Sequence, residues 1–186
     1  MEKHRVAFLG TGARSVVYAT AFAALDDVEI VAIADPNGAN RTKMITRAGV
    51  RDTPEEFDDW SELLEAWQDL DGVVITMPNH LHADAAVACL ERGIPVALEK
   101  PMATTKRDCE RILDAERANG GRSVIGFVLR SAPFYRTIAD ILRSGRIGRL
   151  VSVQADELVG TAVSSVMNRG GWRRFTRTSG GAMLEK

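Results

Sequence analysis

A lysine between an acid and a proline, at the end of an apolar run, has to be accounted for chemically. The run Pro95 to Leu98 leads directly into Glu99-Lys100-Pro101, and an ammonium brought to the end of a buried strand costs free energy unless it is paired. One reading is a strand-terminal salt bridge. The other is that Lys100 donates a hydrogen bond, or a proton, to a substrate hydroxyl, its pKa lowered by burial and by any positive charge a ligand brings beside it. Pro101 would then fix the direction of the lysine, with a cis bond as one route.

Gly10-Thr11-Gly12-Ala13-Arg14-Ser15 follows a short apolar run and opens a helical pattern. Gly10 suits a tight turn, Gly12 lets a pyrophosphate approach the backbone, and the helix start supplies unpaired N–H groups. Ser15 stands where a third glycine is usual and is small enough for close packing of helix on strand. A plain turn would read the same way, but Asp35 ends the next apolar run 25 positions after Gly10. That is close to the ~20 expected for the acid that accepts adenosine ribose hydroxyls. A carboxylate there repels a 2′-phosphate, which favours NAD over NADP, and Arg41 is near enough in sequence to soften the preference. Thr76-Met77-Pro78-Asn79-His80-Leu81-His82 closes a third apolar run. Its two histidines could suggest a metal, but no third ligand is evident. A cofactor contact or a helix start suits His82 better.

These residues need a scaffold that brings strand ends together. Val6 to Leu9, Ile30 to Ala34, Val73 to Thr76 and Pro95 to Leu98 are too short for helices and rich in Val, Ile, Leu and Ala, so they read as strands buried on both faces. Helical spacing separates and follows them over Val16 to Leu25, Asn40 to Ala48, Ser61 to Leu70, His80 to Arg92 and Lys106 to Ala118. Strand alternating with helix predicts an α/β fold, a doubly wound parallel sheet with helices on both faces. Ser123 to Leu129 reads as a further strand, Pro133 to Ser144 as a helix, and Leu150 to Leu158 as a longer alternating strand with one solvated or covered face. A first domain over residues 1–122 is therefore expected, then the beginning of a second over 123–186. The open strand edge of the second predicts self-association.

The chain has 186 residues, 45% hydrophobic and 26% charged, enough to bury a core and too apolar for overall disorder. Lys and Arg total 24 against 25 Asp and Glu, a formal net charge of -1, so no global field attracts nucleic acid or an anionic membrane. No apolar run reaches the ~18–20 residues of a membrane span. Met1-Glu2-Lys3-His4-Arg5 leads into a strand-like run, not a signal core, and the chain reads as cytoplasmic. Cys89 and Cys109 form neither a disulfide framework nor a metal knuckle and read as buried thiols.

Together these stretches resemble the Gfo/Idh/MocA oxidoreductases, named for glucose-fructose oxidoreductase and inositol dehydrogenase. The likeness rests on the Gly10 turn, Ala34-Asp35-Pro36, Pro78-Asn79 with His82, and Glu99-Lys100-Pro101. It extends through Arg130 to Pro133, Gly145 to Gly148, and Trp172-Arg173 before Ser179-Gly180-Gly181. It implies a Rossmann domain followed by an α+β open-sheet domain that holds substrate and mediates homo-oligomers. It also implies hydride transfer between NAD(P) and a sugar or polyol carbinol. By the same likeness Thr11, Ala13, Arg14, Thr76, Pro78, Asn79, His82, Glu99, Lys100, Arg130, Trp172 and Arg173 join Gly10, Gly12 and Asp35 as cofactor contacts, and no metal is implied. Lys100 matches the lysine lining the substrate site, and Glu185 falls on an acid position that usually precedes a catalytic histidine. The chain stops at Lys186, three positions short of that histidine, so it is expected to be a fragment or truncated product that binds NAD with little turnover. A non-catalytic dinucleotide-binding or interaction protein is the alternative. A methyl-donor site would use the same glycine turn but leave Glu99-Lys100-Pro101 without a role.

Overall fold

Period-two burial sets the architecture. In the first strand, β1 (His4–Leu9), Val6 and Phe8 are buried on one side and Ala7 and Leu9 on the other, so helices must cover both faces. The computed structural model describes residues 3–156, 158, 160 and 171–185, and of these the side chains of Ala182 and Glu185 lie outside the description. The strands β2 (Val28–Ala34), β3 (Glu55–Phe57), β4 (Gly72–Ile75), β5 (Val96–Leu98) and β6 (Ser123–Ile125) join β1 in the order β3-β2-β1-β4-β5-β6. Every neighbouring pair is parallel. Helices α1 (Ala13–Ala23) and α2 (Gly38–Ala48) cover one face through Ala19 and Met44, packed with Phe8, Ile33 and Val74. Helices α3 (Trp60–Ala66), α4 (His82–Glu91) and α5 (Lys106–Ala118) cover the other through Leu63, Leu64, Ala86, Leu90 and Ile112, packed with Leu9, Ile75 and Leu98. The doubly wound parallel sheet expected from the apolar runs is thus present. Its order reverses between β1 and β4, which opens a crevice at their carboxyl ends.

The elements start and stop for local reasons. Asn37 caps α2 by accepting from the Ala39 N–H at 3.0 Å, and Gly49 ends it at φ 65°. Thr105 caps α5 by accepting from Asp108. The helical pattern of His80 to Arg92 begins as a 3-10 turn, Asn79–Leu81, because Pro78 enters it extended, and α4 proper starts at His82. Helix α3 ends at Ala66, short of the expected Leu70: Trp67 turns extended, and its indole N–H donates to Glu55 at 2.9 Å.

Three further differences concern the sheet edges and the chain beyond them. The edge strand β3 is not among the expected strands, being three residues long with two of them glutamates. The run Ser123 to Leu129 holds only three strand residues before a 3-10 turn, Val128–Ser131. Those three pair with β5, so the first sheet extends past residue 122. The expected strand Leu150 to Leu158 is a correction: residues 151–156 form no strand, and Val151 and Val153 are exposed. Alternation makes a strand only where a neighbour supplies hydrogen bonds, and among the described residues none pairs with it. The amphipathic helix α6 (Pro133–Arg143) forms with no buried residue. After a 3-10 turn at Trp172–Arg174 come two single-turn helices, α7 (Thr176–Ser179) and α8 (Ala182–Glu185). Ser179 is buried, and its carbonyl accepts from Asn79 Nδ2 at 2.8 Å, which docks this segment on the carboxyl edge of the sheet.

Candidate cofactor site

The glycine turn knits three strand ends. Gly10 N donates to Ala34 O and Thr76 N to Leu9 O, each at 2.8 Å, and Thr76 Oγ1 donates to Gly10 O at 2.7 Å. Gly10 has φ 89°, and a Cβ there would lie 2.7 Å from Met77 N. Only glycine meets both conditions. Gly12 is the N-cap of α1 with no side-chain cap, and a Cβ on it would meet nothing within 4 Å. Open space in front of uncapped helix N–H groups is what a pyrophosphate requires. Ser15 behind it is fully buried and donates to Gly12 O at 2.7 Å, so it fills the close helix-to-strand contact.

This turn forms one wall of a cleft of about 480 Å³, within the ~300–1,000 Å³ typical of cofactor sites. Gly10, Gly12, Ala13 and Arg14 line that wall, Thr76 stands beside it through its bond to Gly10, and Pro78, Trp172 and Arg173 also line the cleft. Arg173 stacks on the Trp172 ring at 4.2 Å. At the far end stand Asp35, Asn40, Asp58, Asp59 and Trp60. Asp35 Oδ2 accepts from Thr11 N at 2.8 Å and Oδ1 from Asn37 N at 2.9 Å. These bonds aim the carboxylate and leave acceptor capacity for ribose hydroxyls, since a carboxylate has about four lone-pair sites. Hydrogen bonds from the Ser61 hydroxyl and amide hold Asp59 below the usual carboxylate range, so this end of the cleft is anionic at neutral pH. The residues present fit a dinucleotide.

A recess of about 60 Å³ shares Arg14, Thr76 and Arg173 with the cleft and adds Asn79, His82, Glu99 and Lys100. Glu99 is buried and accepts from three directions. Tyr18 OH donates to its Oε1 at 2.8 Å, Arg14 Nε lies 3.1 Å from the same oxygen, and Lys100 N donates to Oε2 at 2.9 Å. Burial first, then the Glu99 hydrogen bond, pushes Tyr18 up to about 12, so it remains a proton donor to the acid. Lys100 is half-buried at the mouth of β5 and is followed by a cis peptide to Pro101.

His82 is buried, with Nδ1 2.8 Å from Pro101 O and Nε2 3.0 Å from Met77 O. Its ring therefore lies between the loop after β4 and the turn after Lys100, and in the neutral form it donates to one of these two carbonyls. Burial lowers its pKa, against the opposing pull of both carbonyls and the Glu99 charge. The folded protein thus takes up this proton less readily than the unfolded chain, and stability falls as pH drops through the ordinary histidine range. Urea unfolding from about pH 7.5 to about pH 5.5 brackets the ordinary histidine pKa of ~6.5. Over that range the parent is expected to lose more stability than His82→Gln. Equal losses would show that His82 does not titrate in this way. His80 is exposed, so the two histidines diverge and share no site. Burial pushes the Cys89 thiol up to about 12, and Cys109 is half-buried; both are free.

Not every expected residue reaches the cleft. The Thr11 side chain is buried behind the turn, and only its amide is used, by Asp35. Arg130 is exposed and lies over Phe127 at 4.7 Å, lining neither the cleft nor the recess. The side chain of Glu185 lies outside the described residues. Sequence reasoning missed Asp58, Asp59 and Trp60, which reach the cleft because β3 delivers them, and it missed Tyr18, which a regular helix sets opposite Glu99.

Among the described residues, no helix is long and apolar enough to cross a membrane. The model of the Gfo/Idh/MocA family, an oxidoreductase family with an NAD-binding Rossmann fold, matches residues 4–127. The inositol 2-dehydrogenase of Salmonella typhimurium is 35% identical over 127 residues, 68% of this chain and 37% of that protein. A 3-ketoreductase from Actinomadura kijaniata in complex with NADP is 28% identical with a TM-score of 0.67, over 80% of this chain and 46% of that one. The fold is shared with scyllo-inositol dehydrogenase from Lactobacillus casei, solved with NAD(H) and scyllo-inositol, at TM-score 0.71 and 22% identity over 79% and 43% of the two chains. The chain spans less than half the length of these relatives. A glycine turn, a carboxylate at the end of β2 and a strand-end lysine on one edge of a doubly wound sheet, matched by the family model over all three, make this chain a member of the Gfo/Idh/MocA oxidoreductases.

Proposed function

We propose that the protein to which this chain belongs is an NAD-dependent dehydrogenase of a sugar, polyol or related carbinol. One observation carries the reading: Lys100 lines a recess that opens from the dinucleotide cleft and shares Arg14, Thr76 and Arg173 with it. A carbinol group entering there would meet Lys100 beside the residues that the recess shares with the cleft. The cofactor, when bound, supplies the hydride acceptor or donor. The chain's own residues do the rest. The N–H groups at the start of α1 receive the pyrophosphate, Asp35 receives the adenosine ribose, and Arg173 and Trp172 line the same cleft. Lys100 polarises the substrate oxygen, and Glu99, fixed by Tyr18 and Arg14, holds the lysine's backbone amide in place.

The inositol 2-dehydrogenase relative supports a polyol, and the Asp35 carboxylate supports NAD. Glu185, on an acid position of the family pattern, is placed in the same reading beside the substrate. Assembly into a homo-oligomer through the second domain, which begins after the Rossmann sheet, and action in the cytoplasm also belong to it. The experiment is a panel of inositols, sugars and polyols with NADH formation followed by absorbance on the full-length gene product. Turnover of at least one carbinol with NAD supports the reading. Dinucleotide binding without turnover of any of them would overturn it in favour of a non-catalytic binding protein.

A further inference from the structure

Arg41 stands on α2 beside the ribose acid, where a guanidinium ordinarily welcomes a 2′-phosphate. The fold has turned it elsewhere. Its side chain is only 15% exposed, with Nε 2.8 Å from Glu56 and Nη1 2.6 Å from Asp58. Nη1 also donates to the carbonyls of Asp35 and Phe57. Asp35 and Asp58 line the cleft and Arg41 does not, so the cation sits behind the wall that its own partners form. The hydrogen bond to Glu56, above all, raises its pKa further. The arrangement is set by the sheet: β3 pairs with β2 in the register Ile33↔Glu56 and Ala34↔Phe57, which sets Glu56 and Asp58 at the carboxyl end of β2, within reach of Arg41 on α2.

We propose that Glu56 and Asp58 determine cofactor specificity by holding Arg41 behind the cleft wall, closing the adenosine end to a 2′-phosphate. The inference rests on reading the cleft as a dinucleotide site. Physically it has two parts. A guanidinium engaged by two carboxylates has its charge offset and its planar donor edge occupied, so an incoming phosphate must displace an acid already in place. The end of the cleft then carries Asp35, Asp58 and Asp59, with Glu56 on Arg41 behind them, so three lining carboxylates and a fourth behind face a single guanidinium, and a 2′-phosphate meets net negative charge. Without the two acids, the same arginine would be available to a phosphate at the ribose.

The test uses the adenosine half alone. The parent chain, Glu56→Gln/Asp58→Asn, and that double variant with Arg41→Met added are titrated calorimetrically with 5′-AMP and with adenosine 2′,5′-bisphosphate. The parent is expected to prefer 5′-AMP. In the double variant the preference should shift toward the bisphosphate by ~10-fold or more, as a freed guanidinium forms a charge-assisted pair with the phosphate. Adding Arg41→Met should abolish the shift. A double variant within about threefold of the parent would overturn the proposal, because an equilibrium moves only by differential affinity. A shift that survives Arg41→Met would overturn it too, since the acids would then act by their own charge alone. Glu56 and Asp58 side chains are 39% and 79% exposed, and circular dichroism checks folding. The single variant Asp58→Asn, expected to show part of the shift, decides the matter if the double variant unfolds. Absence of both 5′-AMP and NAD binding in the parent would instead refute the dinucleotide reading, before any variant is made.

Discussion

Lys100→Ala is expected to lower hydride transfer by about 10²–10⁴-fold in the full-length enzyme, the range that a positioned proton donor or acceptor contributes. The loss should fall on kcat, because the ammonium acts on an oxygen whose charge changes most on the way to the transition state. Lys100 has the position for this. It leaves β5 at the carboxyl edge, its amide is fixed by Glu99 Oε2 at 2.9 Å, and the carbonyl of the following Pro101 faces the His82 ring. Lys100→Arg keeps the charge but not the compact, rotatable donor, and should restore only a small part of the rate. Steady-state rates with a turned-over polyol check this. An enzyme indifferent to Lys100→Ala would show that the residue is a strand-terminal charge and nothing more.

Gly10→Ala is expected to destabilise the fold by about 2–4 kcal/mol, from a left-handed backbone together with overpacking. The methyl group would meet Met77 N at 2.7 Å, Met77 Cα at 2.8 Å and Met77 Cγ at 2.9 Å. Two of these are backbone atoms at the end of β4 and cannot swing aside. Moving them would also disturb the Thr76 Oγ1 to Gly10 bond that shapes the cleft, so dinucleotide binding should be lost with the stability. Gly12→Ala is the contrast. Its Cβ enters open space at φ -68°, so unfolding should shift by no more than about 1 kcal/mol, the scale of an N-cap change. Binding should still weaken by ~10-fold or more, because the methyl stands where the pyrophosphate must approach the helix N-terminus. Urea denaturation and NAD titration of both variants separate the two effects. Equal stability losses at the two glycines would contradict the roles given to them.

What could be read from residues and what could not follows from the range of the interactions. Val6 to Leu9, Ile30 to Ala34 and Val73 to Thr76 announced themselves as strands because burial on both faces leaves an unbroken apolar run. Gly10, Asp35 and Lys100 were legible because each sits where such a run ends, and strand ends converge in a parallel sheet. The edge strand β3 was hidden, since Glu55-Glu56-Phe57 is short and polar and pairs on one side only. With it were hidden Asp58 and Asp59, whose place in the cleft depends on β3. The contact of Tyr18 with Glu99 spans 81 positions and follows from the packing of α1 over the sheet, which no local pattern encodes. Val151 to Ala155 misled in the opposite sense. Its alternation describes the face a strand would present, but pairing is a property of the neighbour, and helical spacing in α6 likewise formed a helix without a buried face.

The central claim is that the sheet edge bearing Gly10, Asp35 and Lys100 binds NAD and discriminates against a 2′-phosphate. Calorimetric titration of the chain with NAD and with NADP tests it most directly. Saturable binding with NAD favoured is expected, and Asp35→Ser should narrow the difference by removing a carboxylate next to the ribose. Equal affinity for the two dinucleotides in the parent chain, or no binding of either, would contradict the account.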